Sequence, residues 1–146
     1  ILGFSLGFLL AIINEKIKGI VLSSRQIEEE LKIPIISELS LEKINSWEQS
    51  FDLITSGFIR DIKGDISLLL LSKLDKTFEN KINSILSKDK INSEFLICNE
   101  LKDAFKNENL ILLVKINETK KKDIIEINKK ILLNKKTNLG IILISE

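Results

Sequence analysis

Four short and almost uninterrupted apolar runs in the second part of the chain limit the folds that it can adopt. They cover residues 67–72, 94–98, 110–116 and 139–144. Stretches with helical spacing separate them, at residues 73–87, 101–106 and 119–134. Buried strands that alternate with helices are typical of a mainly parallel sheet with helices on both faces. The pattern predicts an α/β fold of three layers, and it leaves the strand order open.

The segment from residue 40 to about residue 63 predicts one long amphipathic helix, which Ser40 would cap. Apolar side chains recur there every three or four residues, as on the buried face of a helix. These positions are Ile44, Trp47, Phe51, Ile54, Phe58 and Ile62. In the last predicted helix the corresponding inward stripe is Ile124, Ile127 and Ile131. We expect all of these side chains to pack in the core.

A shorter helix is predicted to begin at Ser23, before the first strand. Gln26 lies three residues further on and would complete a capping box, while Leu22 and Ile27 are placed as a hydrophobic staple. Pro34 should end this helix and stand near the start of a strand over residues 33–38, where its missing N–H matters least.

The first thirteen residues carry no charge, and Ser5 is their only polar side chain. As a helix they would rise about 20 Å, less than the roughly 30 Å hydrocarbon core of a bilayer. Gly3 and Gly7 have the spacing that lets membrane helices approach closely. Because methionine is absent even at position 1, we expect the chain to be a fragment of a longer protein. The end of a transmembrane helix is the preferred interpretation, and a soluble core helix is the alternative.

Basic residues follow this apolar run. They are Lys16, Lys18, Arg25 and Lys32. Positive charge next to a membrane helix favours the cytoplasmic side. We therefore expect residues 1–14 to be the end of a transmembrane helix, 15–40 a juxtamembrane cytoplasmic segment, and 41–146 an α/β domain.

Composition excludes several kinds of function. The chain has 146 residues with a net charge of +1, so no overall field favours nucleic acid. Histidine is absent, which removes the commonest general base and the commonest zinc ligand. Tyrosine is also absent, so the chain has no site for tyrosine phosphorylation. Cys98 has no histidine to activate it and is expected to be a buried strand residue. Neither paired carboxylates nor a metal-ligand cluster stands out, so no catalytic, cofactor-binding or metal residues are predicted.

Ligands of such folds usually bind at the carboxyl ends of the strands, and residues 71–77 stand at the end of the apolar run of residues 67–72. Lys76 and Thr77 resemble the end of a phosphate-binding loop, but no glycine lies between Gly64 and Gly140. Backbone amides wrap a phosphate only where glycine permits the required dihedral angles. Glu100, near the end of the next strand, is expected to start a helix. We therefore predict no ordinary nucleotide site.

A cluster of lysines surrounds the last predicted helix. It comprises Lys120, Lys121, Lys122, Lys129, Lys130, Lys135 and Lys136. These side chains could contact anionic lipid headgroups or a phosphate-rich partner. The alternative is an ordinary solvated face, since Glu118, Asp123 and Glu126 interrupt the cluster. No aromatic residues are interspersed, as stacking on nucleic-acid bases would require.

The N-terminal residues ILGFSLGFLLAII, followed by SSRQIEEELKIPII, resemble the second transmembrane helix and following segment of Wzz-type polysaccharide chain-length determinants. In that family the segment continues into, or partners, a cytoplasmic bacterial tyrosine kinase. Residues 93–144 are similar in pattern to the final strand–helix–strand units of such a kinase domain. The resemblance implies a P-loop-like domain attached to the bacterial inner membrane, which residues 1–13 enter.

Departures from the family pattern imply that the domain is degenerate. The glycine-rich loop expected after Leu71 is missing, and the stretch between Leu86 and Glu94 is too short for the second nucleotide motif. Cys98 and Asn99 stand where the family has a magnesium-associated aspartate. The ring-assembly motif Glu-x-x-Arg-x-x-Arg is replaced by Glu48-x-x-Phe51-x-x-Ile54, and the tyrosine-rich tail is absent.

The resemblance implies a non-catalytic, oligomeric regulatory domain in surface polysaccharide chain-length control, with a polysaccharide polymerase or a separate kinase as partner. One alternative is an unorthodox ATPase or kinase that uses Lys73 or Lys76. Another is a soluble α/β protein-interaction domain.

Overall fold

The computed structural model describes residues 2–21, 23–88 and 95–146 of the chain. Five strands in this part of the chain form one sheet: β1 (Ile35–Ser40), β2 (Ile66–Leu70), β3 (Phe95–Cys98), β4 (Asn109–Lys115) and β5 (Thr137–Ser145). Their order is β1-β5-β4-β2-β3, and every neighbouring pair is parallel. The predicted α/β fold with a parallel sheet is confirmed. The predicted strand ends differ from these bounds by at most two residues, apart from Glu94, which lies outside the described residues.

The helices of the described residues are α1 (Leu2–Lys18), α2 (Ser24–Gln26), α3 (Trp47–Leu53), α4 (Lys76–Lys88), α5 (Leu101–Ala104) and α6 (Lys121–Leu133). Of these, α3 and α4 pack on one face of the sheet, and α5 and α6 pack on the other. A 3₁₀ turn (Leu41–Ser46) precedes α3, and π-helical turns follow α2 (Ile27–Leu31) and α3 (Ile54–Phe58).

The two faces of the sheet carry separate hydrophobic cores. On one face Trp47 of α3 and Ile82 of α4 pack with Leu68 of β2. On the other face Ala104 of α5 and Ile124 of α6 pack with Leu69, the next residue of β2. Successive strand residues point to opposite faces, which explains why β2 reads as a continuous apolar run.

The direction in which the chain crosses the sheet explains this division. From β1 through β2 to β3 the chain moves toward one edge, and α3 and α4 lie on one face. From β3 to β4 and β5 the direction reverses, and α5 and α6 lie on the other face. Crossover connections in parallel sheets share one hand, so a reversal of direction moves the helices to the opposite face.

The segment before β1 also belongs to the second core. Val21, Ile27 and Ile33 are buried there, against the same sheet face as α6. Ser23 caps α2 as predicted, and its N–H donates to Gln26 Oε1 at 3.3 Å. The other half of the predicted staple, Leu22, lies outside the described residues. The domain boundary predicted at residue 40 falls at the C-terminal end of β1, so one strand of the sheet lies before this boundary.

Pro34 does not end the preceding helix directly, as the sequence predicted. Lys32 ends it by adopting a left-handed conformation, with φ of 54°. The Pro34 carbonyl then accepts a hydrogen bond from Ile141 N at 2.9 Å, and β1 begins at Ile35. The strand therefore lies two residues later than predicted, because pairing with β5 rather than the proline sets its start.

The prediction of one regular helix over residues 40–63 is wrong, because a 3₁₀ turn, a short α-helix and a π-helical turn occupy this segment. Lys43 has non-helical angles (φ −117°, ψ 47°), which separates the 3₁₀ turn from α3. The Ser40 hydroxyl makes no cap bond, and the Ser40 carbonyl instead accepts from Trp47 Nε1 at 2.8 Å. Trp47, Phe51 and Ile54 are nevertheless buried as predicted.

Candidate functional site

The crevice between the carboxyl ends of β2 and β4 is the place where this fold would hold a ligand. The chain leaves β2 toward one edge of the sheet and leaves β4 toward the other. Ligands of open parallel sheets bind at such a switch point. The loops that border it are residues 71–75 and residues 116–120.

Two hydroxyl groups connect the loops across this crevice. Ser72 Oγ and Thr119 Oγ1 are 2.5 Å apart and share a hydrogen bond. Thr119 is buried, with 4% of its surface exposed. The Leu71 N–H is also used, since it donates to Leu113 O at 3.1 Å. These two hydroxyl groups and the Leu71 N–H are therefore bonded within the protein.

The loop of residues 71–75 does not have the geometry of a phosphate cradle. It contains no glycine, and none of its residues has a positive φ. The Asp75 carbonyl accepts from Phe78 N and Glu79 N and so starts α4 directly. Lys73, in the middle of the loop, and Lys76, at the start of α4, are both exposed to solvent.

Cys98 lies at the carboxyl end of β3, next to a groove of about 350 Å³ that Asn99, Glu100 and Lys106 help to line. Its thiol is buried and lies 3.5 Å from Leu68 O, to which it donates. Burial, together with the nearby Asp103 carboxylate, raises the pKa of Cys98 to about 11, and the Lys106 ammonium opposes the change. The group is therefore a neutral thiol at pH 7 and a poor nucleophile.

Glu100 occupies the helix-start position that the sequence predicted. It precedes α5, and its carbonyl accepts from Asp103 N and Ala104 N, each at 3.1 Å. Within the described part of the chain, no group of three or more histidine, cysteine or acidic residues is placed to hold a metal ion.

A short extended segment, residues 19–21, joins α1 to the carboxyl edge of the sheet. Val21 N donates to Thr119 O at 2.9 Å, and Asn117 N donates back to Val21 O at 2.8 Å. Lys121 N donates to Gly19 O at 2.7 Å, at the first residue of α6. Sequence reasoning missed this attachment. Its only local signal was Gly19, whose φ of 59° lets the chain turn out of α1.

The surface of α1 is the most unusual feature of the molecule. Every described side chain from residue 3 to residue 14 is exposed. The large apolar side chains among them are Phe4, Leu6, Phe8, Leu9, Leu10, Ile12 and Ile13. Gly3 and Gly7 have open space where a Cβ would lie, so nothing packs on that side either. Among the residues that the structure describes, no helix combines the length and apolarity needed to cross a bilayer.

Comparisons with known proteins do not add a relative: no family model matches the sequence, and neither the curated proteins nor the solved structures searched contain a match.

The segment that carries Glu48, Phe51 and Ile54 packs in the core. Phe51 and Ile54 are buried against the sheet. Neither side chain is therefore available at the surface for contact with another copy of the chain.

Proposed function

We propose that this chain is the cytoplasmic end of a membrane-anchored protein, with α1 as the last part of a membrane helix and with an α/β domain that binds or assembles without catalysing a reaction. The observation that carries the proposal is that seven large apolar side chains of α1 are each 44–88% exposed. Soluble monomers rarely expose a continuous apolar surface of this size.

The size of this surface favours lipid as its environment. Transferring one large apolar side chain from water contributes about 1.5–3 kcal/mol, so seven side chains contribute on the order of 10 kcal/mol. The hydrogen bonds of residues 19–21 would keep the α/β domain close to the membrane surface, because only a few residues separate them from the apolar run.

The proposed location is the inner face of the bacterial plasma membrane. Lys16, Lys18, Arg25 and Lys32 support this orientation by the positive-inside tendency. The resemblance of residues 1–38 to Wzz-type proteins supports a role in controlling the chain length of O-antigen, capsule or exopolysaccharide. The domain would then be a degenerate, P-loop-like module that associates with further copies and with a polysaccharide polymerase or a separate kinase.

What supports a non-catalytic role is the chemistry of the crevice. Its hydroxyl groups bond each other, and its loop offers no converging amides. We expect titration calorimetry with millimolar ATP and Mg²⁺ to show no saturable heat. Saturable, magnesium-dependent binding that is lost in Lys73→Gln or Lys76→Gln would instead favour the unorthodox enzyme.

Flotation of the full chain with lipid vesicles tests the membrane proposal. We expect it to rise with the vesicles in a density gradient and to stay with them in 1 M salt, since salt does not weaken apolar insertion. Leu9→Glu should lower the fraction of the chain that floats, because a charged residue in a membrane helix costs about 2.5–3.5 kcal/mol and the contribution of the leucine is lost as well.

Leu53→Glu is the matched control, because Leu53 is also an exposed leucine but lies on α3. This variant should float like the parent chain. Release of the parent chain by salt without detergent would contradict the proposal and favour the soluble interaction domain.

A further inference from the structure

The outer face of α6 combines exposed apolar side chains with unpaired positive charge. Ile125, Leu132 and Leu133 are 53%, 61% and 71% exposed, although Ile124 and Ile131 of the same helix are buried. Ile125 and Leu132 are seven residues apart and therefore share one side of the helix. A groove of about 530 Å³ lies along this side, bordered by Leu31 and Ile33.

Lysines flank these apolar side chains. Lys122, Lys129 and Lys135 are exposed and form no ion pair with any residue that the structure describes. Lys121 and Lys130 are paired, with Glu30 and Glu126 respectively. We call Ile125, Leu132, Leu133 and the three unpaired lysines the α6 surface.

The start of α6 lies next to the attachment of α1. The first residue of α6, Lys121, donates its N–H to Gly19 O, directly after the C-terminal end of α1. Leu132 lies about 17 Å further along the helix axis. A bilayer that receives α1 therefore reaches the whole α6 surface only where α6 lies along the membrane plane. An ordinary solvated face would explain the lysines, but it would not explain three large apolar side chains between them.

We propose that the α6 surface docks on anionic lipid headgroups of the bilayer that α1 enters. The inference rests on the proposed membrane attachment and adds a second contact to it. The lysines would attract the anionic headgroups, and the apolar side chains would enter the interfacial layer, as in helices that lie in the membrane plane. The contact would fix the orientation of the α/β domain on the membrane.

A fluorescent label at position 132 tests this contact in the full chain. Cys98 is buried with a raised pKa, so the added thiol of Leu132→Cys takes a nitrobenzoxadiazole label selectively at neutral pH. On vesicles that contain phosphatidylglycerol we expect the emission to shift to the blue and iodide quenching to fall. On vesicles of phosphatidylcholine alone, where the chain still floats, the label should stay in water.

The lysines give the second arm of the test. Replacing Lys122, Lys129 and Lys135 together by glutamine should lower the ratio of docked to undocked domain by about 100-fold, from about fivefold per lysine. Flotation through α1 should not change. Asp52→Cys is the matched label control, because Asp52 is exposed on α3, on the other face of the sheet.

The outcomes separate the two proposals. A chain that floats while the label at 132 behaves like the label at 52 overturns the α6 contact and leaves the membrane attachment intact. A chain that does not float overturns both. A blue shift that needs no vesicles and increases with protein concentration also overturns the lipid contact, because it assigns the α6 surface to a second copy of the chain.

Discussion

Gly140 is the residue whose replacement the fold tolerates least. Its φ is 148°, and an added Cβ would lie 2.7 Å from Pro34 O and 2.8 Å from Ile36 Cγ1. The close approach arises because Ile141 N donates to Pro34 O where β1 meets β5. The pairing of β5 with β4 is also irregular there, and Gly140 N is held by Asn138 Oδ1. Glycine at an irregular strand position of this kind is a structural requirement.

Gly140→Ala should therefore lower the free energy of unfolding by about 2–5 kcal/mol, since strain and overpacking add. Urea denaturation followed by Trp47 fluorescence measures the change. The matched control is Gly57→Ala, because Gly57 is exposed, has no positive φ and has open space at Cβ. An equal loss of stability in both variants would show that the contact with β1 is not the cause.

At the scale of an element, the turn after α3 changes which residues face the core. Ile59 N donates to Ile54 O, five residues earlier, at 3.1 Å. Such a π-helical turn adds one residue to the spacing of an α-helix. Ile59 is therefore buried, with 2% exposed, while Phe58 is 47% exposed. The regular spacing had predicted Phe58 on the inner face, and that prediction is wrong.

The two neighbouring side chains give opposite expectations for alanine substitution. Ile59→Ala should destabilise the domain by about 2–4 kcal/mol, as other large-to-small core changes do. Phe58→Ala should cost about 1 kcal/mol or less, because half of its side chain is already in solvent. Thermal unfolding of both variants distinguishes a π turn from a continuous α-helix, which would reverse the order.

At the scale of the whole molecule, residues 19–40 are part of the α/β domain. They supply an edge strand, β1, and the buried side chains of Val21, Ile27, Ile33 and Leu39. Burying four such side chains contributes roughly 6–12 kcal/mol of favourable transfer free energy, which is as large as the net stability of an ordinary domain. The described α1, by contrast, contributes no buried side chain between residues 3 and 14.

Two truncations test this division. A chain that begins at residue 19 should keep a cooperative urea transition with a midpoint close to that of the parent, both measured in the same mild detergent. A chain that begins at residue 41 should show no cooperative transition, because β5 loses one of its two neighbouring strands and the second core loses one side. A cooperative fold in the shorter chain would support the predicted boundary at residue 40.

Only those features of the candidate site that depend on residues close together in the chain could be predicted from the sequence. The missing glycines after β2 and the missing histidine already argued against a phosphate cradle and an activated Cys98. The hydroxyl pair of Ser72 and Thr119 was not predictable, since the two residues are 47 positions apart and meet only because β2 and β4 are neighbours. The attachment of residues 19–21 to the start of α6 was missed for the same reason.

Apolar runs and helical spacing were enough to predict the strands and most of the helices, because they report how each segment is buried. The sequence also predicted the strand ends to within two residues, the inward stripe of α6 and the capping of α2 by Ser23. The strand order, the two-residue shift of β1 and the inward position of Ile59 became visible only in the folded molecule. These features depend on hydrogen bonds between residues far apart in the chain or on one extra residue in a helical turn, and neither leaves a periodic signal in the sequence.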